Sequence, residues 1–465
     1  MRIISILFIA FGLSFANAQN KQLLYGFEEV PQALMVNPGS IVPQKSHFGI
    51  PFLSQIHING GATGVSTFDI FGNTGEDINT RIRNKIFEMS DKDYFTATQQ
   101  LELLNFGWRA SESEIYFSGG IYQEFDFITY FPRDLAILAW EGNRDYLDYE
   151  FDLGQVSATG DLMTVYHFGA NKKINKKWTV GARGKLYSSM ISVKSTNNSG
   201  TFVTRLGDEN SPNIYDHIVQ NGDVNIQTSG ITSLENSSVG AILGRALFGG
   251  SVGVGVDVGA TYEINDRWSA SASVLDVGVI FHSKDVEQYH ATGDYTLNGI
   301  ELIFPPLSEG EAALPYYEDL EDEIERELPV DTINSGYSQL RPVKVNAGLT
   351  YSFGKFFGDV ECDCLNQGIK RVKAVGVQYY SIMRPKGPQM AGTLFYYHRM
   401  FDWFSWKATY TVDPYSFYNI GLGGAFDFGK FNFYVAVDNI LYYGNLAKSK
   451  SVSLQLGFNI KIAQQ

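Results

Sequence analysis

The chain has 465 residues with a formal charge of −14 and only 18% charged residues. That acidic balance excludes a nucleic-acid partner, which would demand a basic surface. With 47 Gly, 27 Tyr and 33 Phe, the composition suits a curved sheet with aromatic girdles and much of its surface in lipid.

Residues 1–18 read as a signal peptide. Arg2 supplies the positive start, an apolar run follows, and Ala16-Asn17-Ala18 is a small-x-small cleavage site, so the mature chain is expected to begin at Gln19. No Cys sits beside that site, so a lipoprotein is not indicated. No later stretch approaches the roughly 20 apolar residues of a membrane helix. Residues 19–45 show little periodicity and carry the turn Asn37-Pro38-Gly39. They are expected to form an N-terminal arm or plug, folded into or under a β-barrel that occupies 46–465.

Phe48 to Asn59 and Val65 to Phe71 read as a strand pair around Gly60-Gly61. From Asp77 to Tyr94 the period changes: Ile78, Ile82, Ile86 and Met89 fall at helical spacing, which predicts one short amphipathic helix. Strands are predicted over Leu101–Arg109 and Glu114–Phe127. Pro132 to Trp140 is a short apolar helix or loop, and strands follow over Tyr146–Ser157, Leu162–Ile174 and Lys177–Val193. The excursions 195–248 and 283–340 are polar and predict two long extracellular loops; the second holds the acidic run Glu309 to Glu327.

The hairpin Gly250 to Phe281 lies between them. Val252, Val254, Val256, Val258, Ala260, Tyr262 and Ile264 share one face of its first strand; Ser251, Gly253, Gly255, Asp257, Gly259, Thr261 and Glu263 share the other. Such alternation over about 13 residues is roughly twice the usual soluble strand length, and a transmembrane barrel needs both features. Strands over 343–353, 372–383, 390–400, 405–412, 418–428, 431–441 and 452–462 complete the pattern. The fold class is all-β, a single transmembrane antiparallel barrel of 14–16 strands, with a direct count of 16.

Gly169-Ala170-x3-Ile174-Asn175-x2-Trp178 recurs as Gly259-Ala260-x3-Ile264-Asn265-x2-Trp268, the same hairpin used twice. With Trp403 and Trp406, these tryptophans define one interfacial belt. The period-two parity turns Arg183, Lys185, Asp257, Glu263 and Lys344 toward the lumen, with Asp427 and Lys461. These charges either line a permeation path or pair across the interior. Cys362 and Cys364 are the only cysteines. A local disulfide is the plain reading in an oxidising compartment; free thiols or an intermolecular bond are the alternatives. No His is near enough in sequence to suggest a metal site. No catalytic set, HExxH or phosphate loop is present, so neither enzyme activity nor a cofactor is expected.

QALMVNPGSIVPQKSHFGIP, LELLNFGWRASESEIYFSGGI and the two Trp hairpins resemble a family of Bacteroidetes outer-membrane barrels of unassigned function. That family is similar in layout to the FadL-like and PorV-like barrels, which usually have 14 strands, and more weakly to PorP/SprF-like proteins of type IX secretion and gliding. Two departures stand out. Gly39 replaces the Ala of the usual NPA element, and the chain ends Ile462-Ala463-Gln464-Gln465 rather than on an aromatic. The resemblance implies an outer-membrane protein embedded in the bilayer that passes small or hydrophobic molecules passively. The alternative it implies is a non-transporting subunit of a secretion, gliding or surface-anchoring complex, partnered by other outer-membrane or periplasmic proteins.

Overall fold

The computed structural model describes residues 22–110, 114–207, 214–232, 239–297, 330–354 and 372–463. Cys362, Cys364 and the acidic run lie outside them, as does the cleavage site.

One antiparallel sheet closes on itself as a 14-stranded barrel. The strands are β1 (Gln44–Gly49 and Ile56–Ala62), β2 (Tyr94–Arg109), β3 (Tyr116–Tyr130), β4 (Ala158–Lys173) and β5 (Trp178–Ser195). β6 (Ser251–Glu263), β7 (Trp268–His282), β8 (Tyr337–Leu340 and Lys344–Phe353), β9 (Lys373–Arg384) and β10 (Gly387–Phe401) follow. β11 (Phe404–Val412), β12 (Asn419–Phe428), β13 (Phe431–Asp438) and β14 (Ser451–Ala463) complete the wall. β14 pairs with both pieces of β1, so the ring of wall strands closes.

Two of the sixteen predicted strands are not strands of the wall. Within Val65–Phe71, Thr67–Phe71 is a helix: Ser66 and Asp69 form a capping box that supplies its first free amides. Tyr146–Ser157 contains only the two-residue strand Phe151–Asp152 and a 3-10 turn. Conversely β2 begins at Tyr94, seven residues before its predicted start at Leu101. The amphipathic helix is present as Ile78–Glu88, capped by Asp77. Arg81 ties it to the preceding helix by donating to the carbonyls of Phe68, Asp69 and Gly72, and Arg83 pairs with Glu141 of the helix Arg133–Glu141.

Turns between β2 and β3, β4 and β5, β6 and β7, β10 and β11, and β12 and β13 are tight and lie at one end, which also carries the longer β8–β9 connection; the two-residue β9–β10 turn lies at the other. At the tight-turn end the repeated hairpin shows why it repeats. Asn175 Oδ1 accepts from the amides of Lys177 and Trp178, and Asn265 Oδ1 accepts from those of Arg267 and Trp268 at the same places. Each Asn side chain satisfies two turn amides that the ladder cannot reach. The other long connections lie at the opposite end. There Ser199–Leu206, Tyr215–Ser229, Val286–Leu297 and Val330–Ile333 pair in that order, so the two predicted loops join into one outer sheet. It grows from β5, whose Ser192–Lys194 pairs with the end of Tyr215–Ser229.

The wall's exterior is apolar. Val252, Val254, Val256 and Val258 are about half exposed while Asp257 between them is fully buried. Around the tight-turn end runs a girdle of aromatic contacts. It includes Trp108 with Phe117 and Phe168, Trp178 with Tyr262, Trp268 with Tyr351, Trp406 with Tyr396, and Trp403 with Phe401 and Phe428. Such a ring marks a membrane–water boundary. Replacing Val256 with Arg, near the middle of the apolar band, is expected to destabilise the folded barrel by about 2–4 kcal/mol. Chemical unfolding of the barrel in lipid checks this.

Candidate functional site

The lumen is occupied by the chain's own arm. Leu23, Leu24, Tyr25, Phe27, Val30, Leu34, Met35 and Val36 are all buried. They pack on separate patches of wall: Leu24, Tyr25, Phe27 and Val30 with Ala374, Tyr397, Ala425 and Tyr434; Met35 with Tyr122, Met163 and Tyr187; Leu34 with Tyr116.

This segment is only briefly helical, at Pro31–Met35. Most of its carbonyls therefore lack a regular partner, and wall side chains supply donors. Lys407 Nζ donates to the carbonyls of Gln22 (3.3 Å) and Tyr25 (2.6 Å), and Gln378 also donates to Tyr25 (2.9 Å). Lys461 donates to Glu29 (2.7 Å) and Arg183 to Leu34 and Met35 (3.2 and 3.1 Å). Ser273 and Asn346 donate to Val36, and Asn171 to Pro38 and Ser40. The Tyr25 hydroxyl, pushed up to about 12 by burial, stays protonated and donates to Ser271 at 3.0 Å.

The NPG turn explains its own departure from NPA. Asn37 Oδ1 accepts from the Gly39 amide at 2.9 Å, folding the turn against β5 and β6. A Cβ on Gly39 would overlap the Gly259 carbonyl, and one on Gly181 would overlap the Pro38 carbonyl. Glycine faces glycine here, and alanine has no room on either side.

Above the arm the charges form a network. Asp257 accepts from Arg183 at 2.5 Å and pairs with Lys185 at 2.9 Å. Lys185 also reaches Asp276, which meets Lys344 at 2.8 Å. Glu124 pairs with Lys344 at 3.4 Å and Arg341 at 2.7 Å, and Asp161 lies 3.9 Å from Arg341. Asp126 and Arg384 form a two-pronged pair at 2.6 and 2.8 Å. Five cations thus face five carboxylates. The pairs join β3 to β8 and β9, which are not neighbours in the wall, so they brace it across the lumen.

Of the predicted lumen residues, Arg183, Lys185, Asp257 and Lys344 meet in this network. Glu263 does not join it; it sits at the tight-turn rim with Lys173 at 3.4 Å. Asp427 and Lys461 pair with each other at 2.6 Å. Asp276 was hidden by parity: strict alternation puts it with Trp268 on the lipid face. A bulge opposite Asp257 shifts the register, Asp276 takes φ +59°, and its amide donates to Asp257 Oδ1 at 2.7 Å. A lone carboxylate on an apolar strand face was the available signal. Glu124 and Asp126 lie on a predicted strand and Arg384 one residue beyond another, but nothing local marks them as cross-lumen partners.

Toward the long-loop end lies an open-mouthed cavity, walled by Glu124, Asp126, Lys344 and Arg384 of the network and touching the arm at Gln22. It continues into a smaller one through Gln100, Glu124, Lys344 and Tyr380, with Met35 and Val36 below.

The fold and this interior define a closed membrane-type barrel whose lumen is filled by its own N-terminal segment. The chain belongs to the family of unknown function DUF5723, which matches residues 38–438. No curated protein matches it. Among solved structures it is similar to the Ralstonia pickettii toluene transporter TbuX, at 11% identity over 93% of this chain and 94% of that one, with TM-score 0.41. It is also similar to the Pseudomonas putida toluene transporter TodX, at 9% identity, 93% and 95% coverage and TM-score 0.42. A Pseudomonas aeruginosa FadL homologue aligns at 11% identity, 93% and 91% coverage and TM-score 0.37.

Asp257→Asn leaves the buried Arg183 without its carboxylate and is expected to cost about 3–5 kcal/mol. Adding Arg183→Met should recover part of that loss, as a double-mutant cycle of unfolding free energies would show.

Proposed function

We propose that this protein is a passive transport barrel of the outer membrane, closed at rest by residues 22–43. One observation carries the proposal: a cavity opens toward the long-loop end of the barrel, touches the arm at Gln22, and continues into a smaller one that rests on Met35 and Val36 of the arm. A purely structural barrel has no need of such a vestibule over a separable floor. The arm is held by the packing of its apolar side chains on the wall and by hydrogen bonds from wall side chains to its main chain, rather than by a shared sheet. Each such bond is worth about 1 kcal/mol net.

A second proposed reading, a subunit of a surface complex, draws on the outer sheet, whose strand Val330–Ile333 is exposed along its length. Purification from native membranes without any associated protein would count against it.

For the transport reading, Lys407→Met with Asn171→Leu and Ser273→Ala removes arm anchors on three walls. These side chains make five bonds to the arm, and at about 1 kcal/mol each their loss shifts the closed–open balance on the order of several thousandfold. Solute flux into liposomes carrying the variant should rise well above that of the native barrel. If both remain impermeable to every solute tried, the barrel is not a transporter.

A further inference from the structure

The two halves of the lumen differ in chemistry. On the β3–β9 side, the network cations are each matched by a carboxylate. On the opposite side, β14, β1 and β2 carry mostly uncharged polar groups, and the ladder register stacks them in rows. Asn59 is paired across to Thr98 on one side and Ser453 on the other, and Ser453 to Asp438. One step further into the barrel, His57 lies between Gln100 and Gln455. Gln55 follows, its carbonyl accepting from the Glu102 amide at 2.9 Å. Asn459 and Asn432 continue the strip, joined at 3.3 Å.

Several of these groups have no protein partner although they are buried: Asn59 Oδ1, Gln455 Oε1 and both polar atoms of the Gln55 side chain. Dry burial would be severely destabilising for so many together, so solvent or solute must satisfy them. The strip starts at the cavity, where Asn59 and Gln100 form part of the wall. It ends at one arm residue. Gln32 Nε2 donates to Glu102 at 3.0 Å and to Asn459 Oδ1 at 2.9 Å, and Gln32 Oε1 accepts from Asn459 at 3.0 Å.

Resting on the transport reading, we infer that this strip is a hydrated path for small, uncharged, polyhydroxylated solutes, and that Gln32 is its constriction. Hydroxyls can replace water on the free amide and hydroxyl groups. A charged solute would need a counter-charge; the network cations are already paired, and Glu102 on the strip already accepts from Gln32 and Asn105. An apolar solute would strand the polar atoms.

The test is swelling of liposomes carrying the full-length barrel, with arabinose as the neutral probe and lysine and gluconate as charged probes. Native barrel should admit arabinose several-fold faster than either ion. Gln32→Ala should raise arabinose entry several-fold and keep that preference. Gln455→Cys, alkylated with a bulky thiol reagent after folding, should lose most arabinose entry, with alkylated native barrel controlling for Cys362 and Cys364. If blocking position 455 leaves arabinose entry unchanged, or the ions enter as fast, the strip is not the path, while transport itself stands. If no probe enters even when the arm anchors are removed, the transport reading falls and this inference with it.

Discussion

A segment without regular structure, enclosed in a barrel, must still find partners for its carbonyls, and almost everything inside this protein follows from that demand. Lys407, Gln378, Lys461, Arg183, Ser273, Asn346 and Asn171 come from seven different strands, yet all donate to main-chain oxygens of one short arm. Recognition through carbonyls constrains the path of the arm more than its side chains. The glycine-on-glycine contact at Gly39 and Gly259 is the same constraint at closest approach.

The charge network obeys a related rule. Ions removed from water are tolerable only when paired, and here the pairing runs between strands that do not share a ladder. Arg183 belongs to both systems, bonding Asp257 on the wall and the carbonyls of Leu34 and Met35 on the arm. Brace and arm are therefore coupled at one guanidinium, whose planar fork can serve both at once.

Much of the wall was legible in the sequence because lipid on one side and polar groups on the other impose strict alternation. Fourteen of the sixteen predicted segments are wall strands, and parity turns Arg183, Lys185, Asp257 and Lys344 to the inner face on which their side chains meet. Parity fails wherever the ladder slips. Asp276 sits on a bulge, and no alternation rule places it beside Asp257. It fails too when a local motif overrides the pattern, as the Ser66–Asp69 capping box does in turning Thr67–Phe71 into a helix. The arm's course was illegible for another reason: its partners are spread from Glu102 to Lys461, and its own residues carry no periodic signal. The pairing of Glu124 with Arg341 is likewise a property of the closed cylinder and of no single stretch.

The broken first strand has a consequence for assembly. β1 adjoins the arm in sequence, and it is also the strand that meets β14 to close the wall. Its two pieces make separate ladders, one with residues 459–463 and the other with 451–456. Ile50 to Gln55 lies between them, with Phe52 at φ +63°. The seam therefore consists of two short zippers instead of one long one. The arm's anchors are distributed over strands from Asn171 to Lys461, so its full set of donors exists only once those strands stand in the wall. The join that encloses it is made of two short ladders, each holding fewer bonds than one continuous strand would.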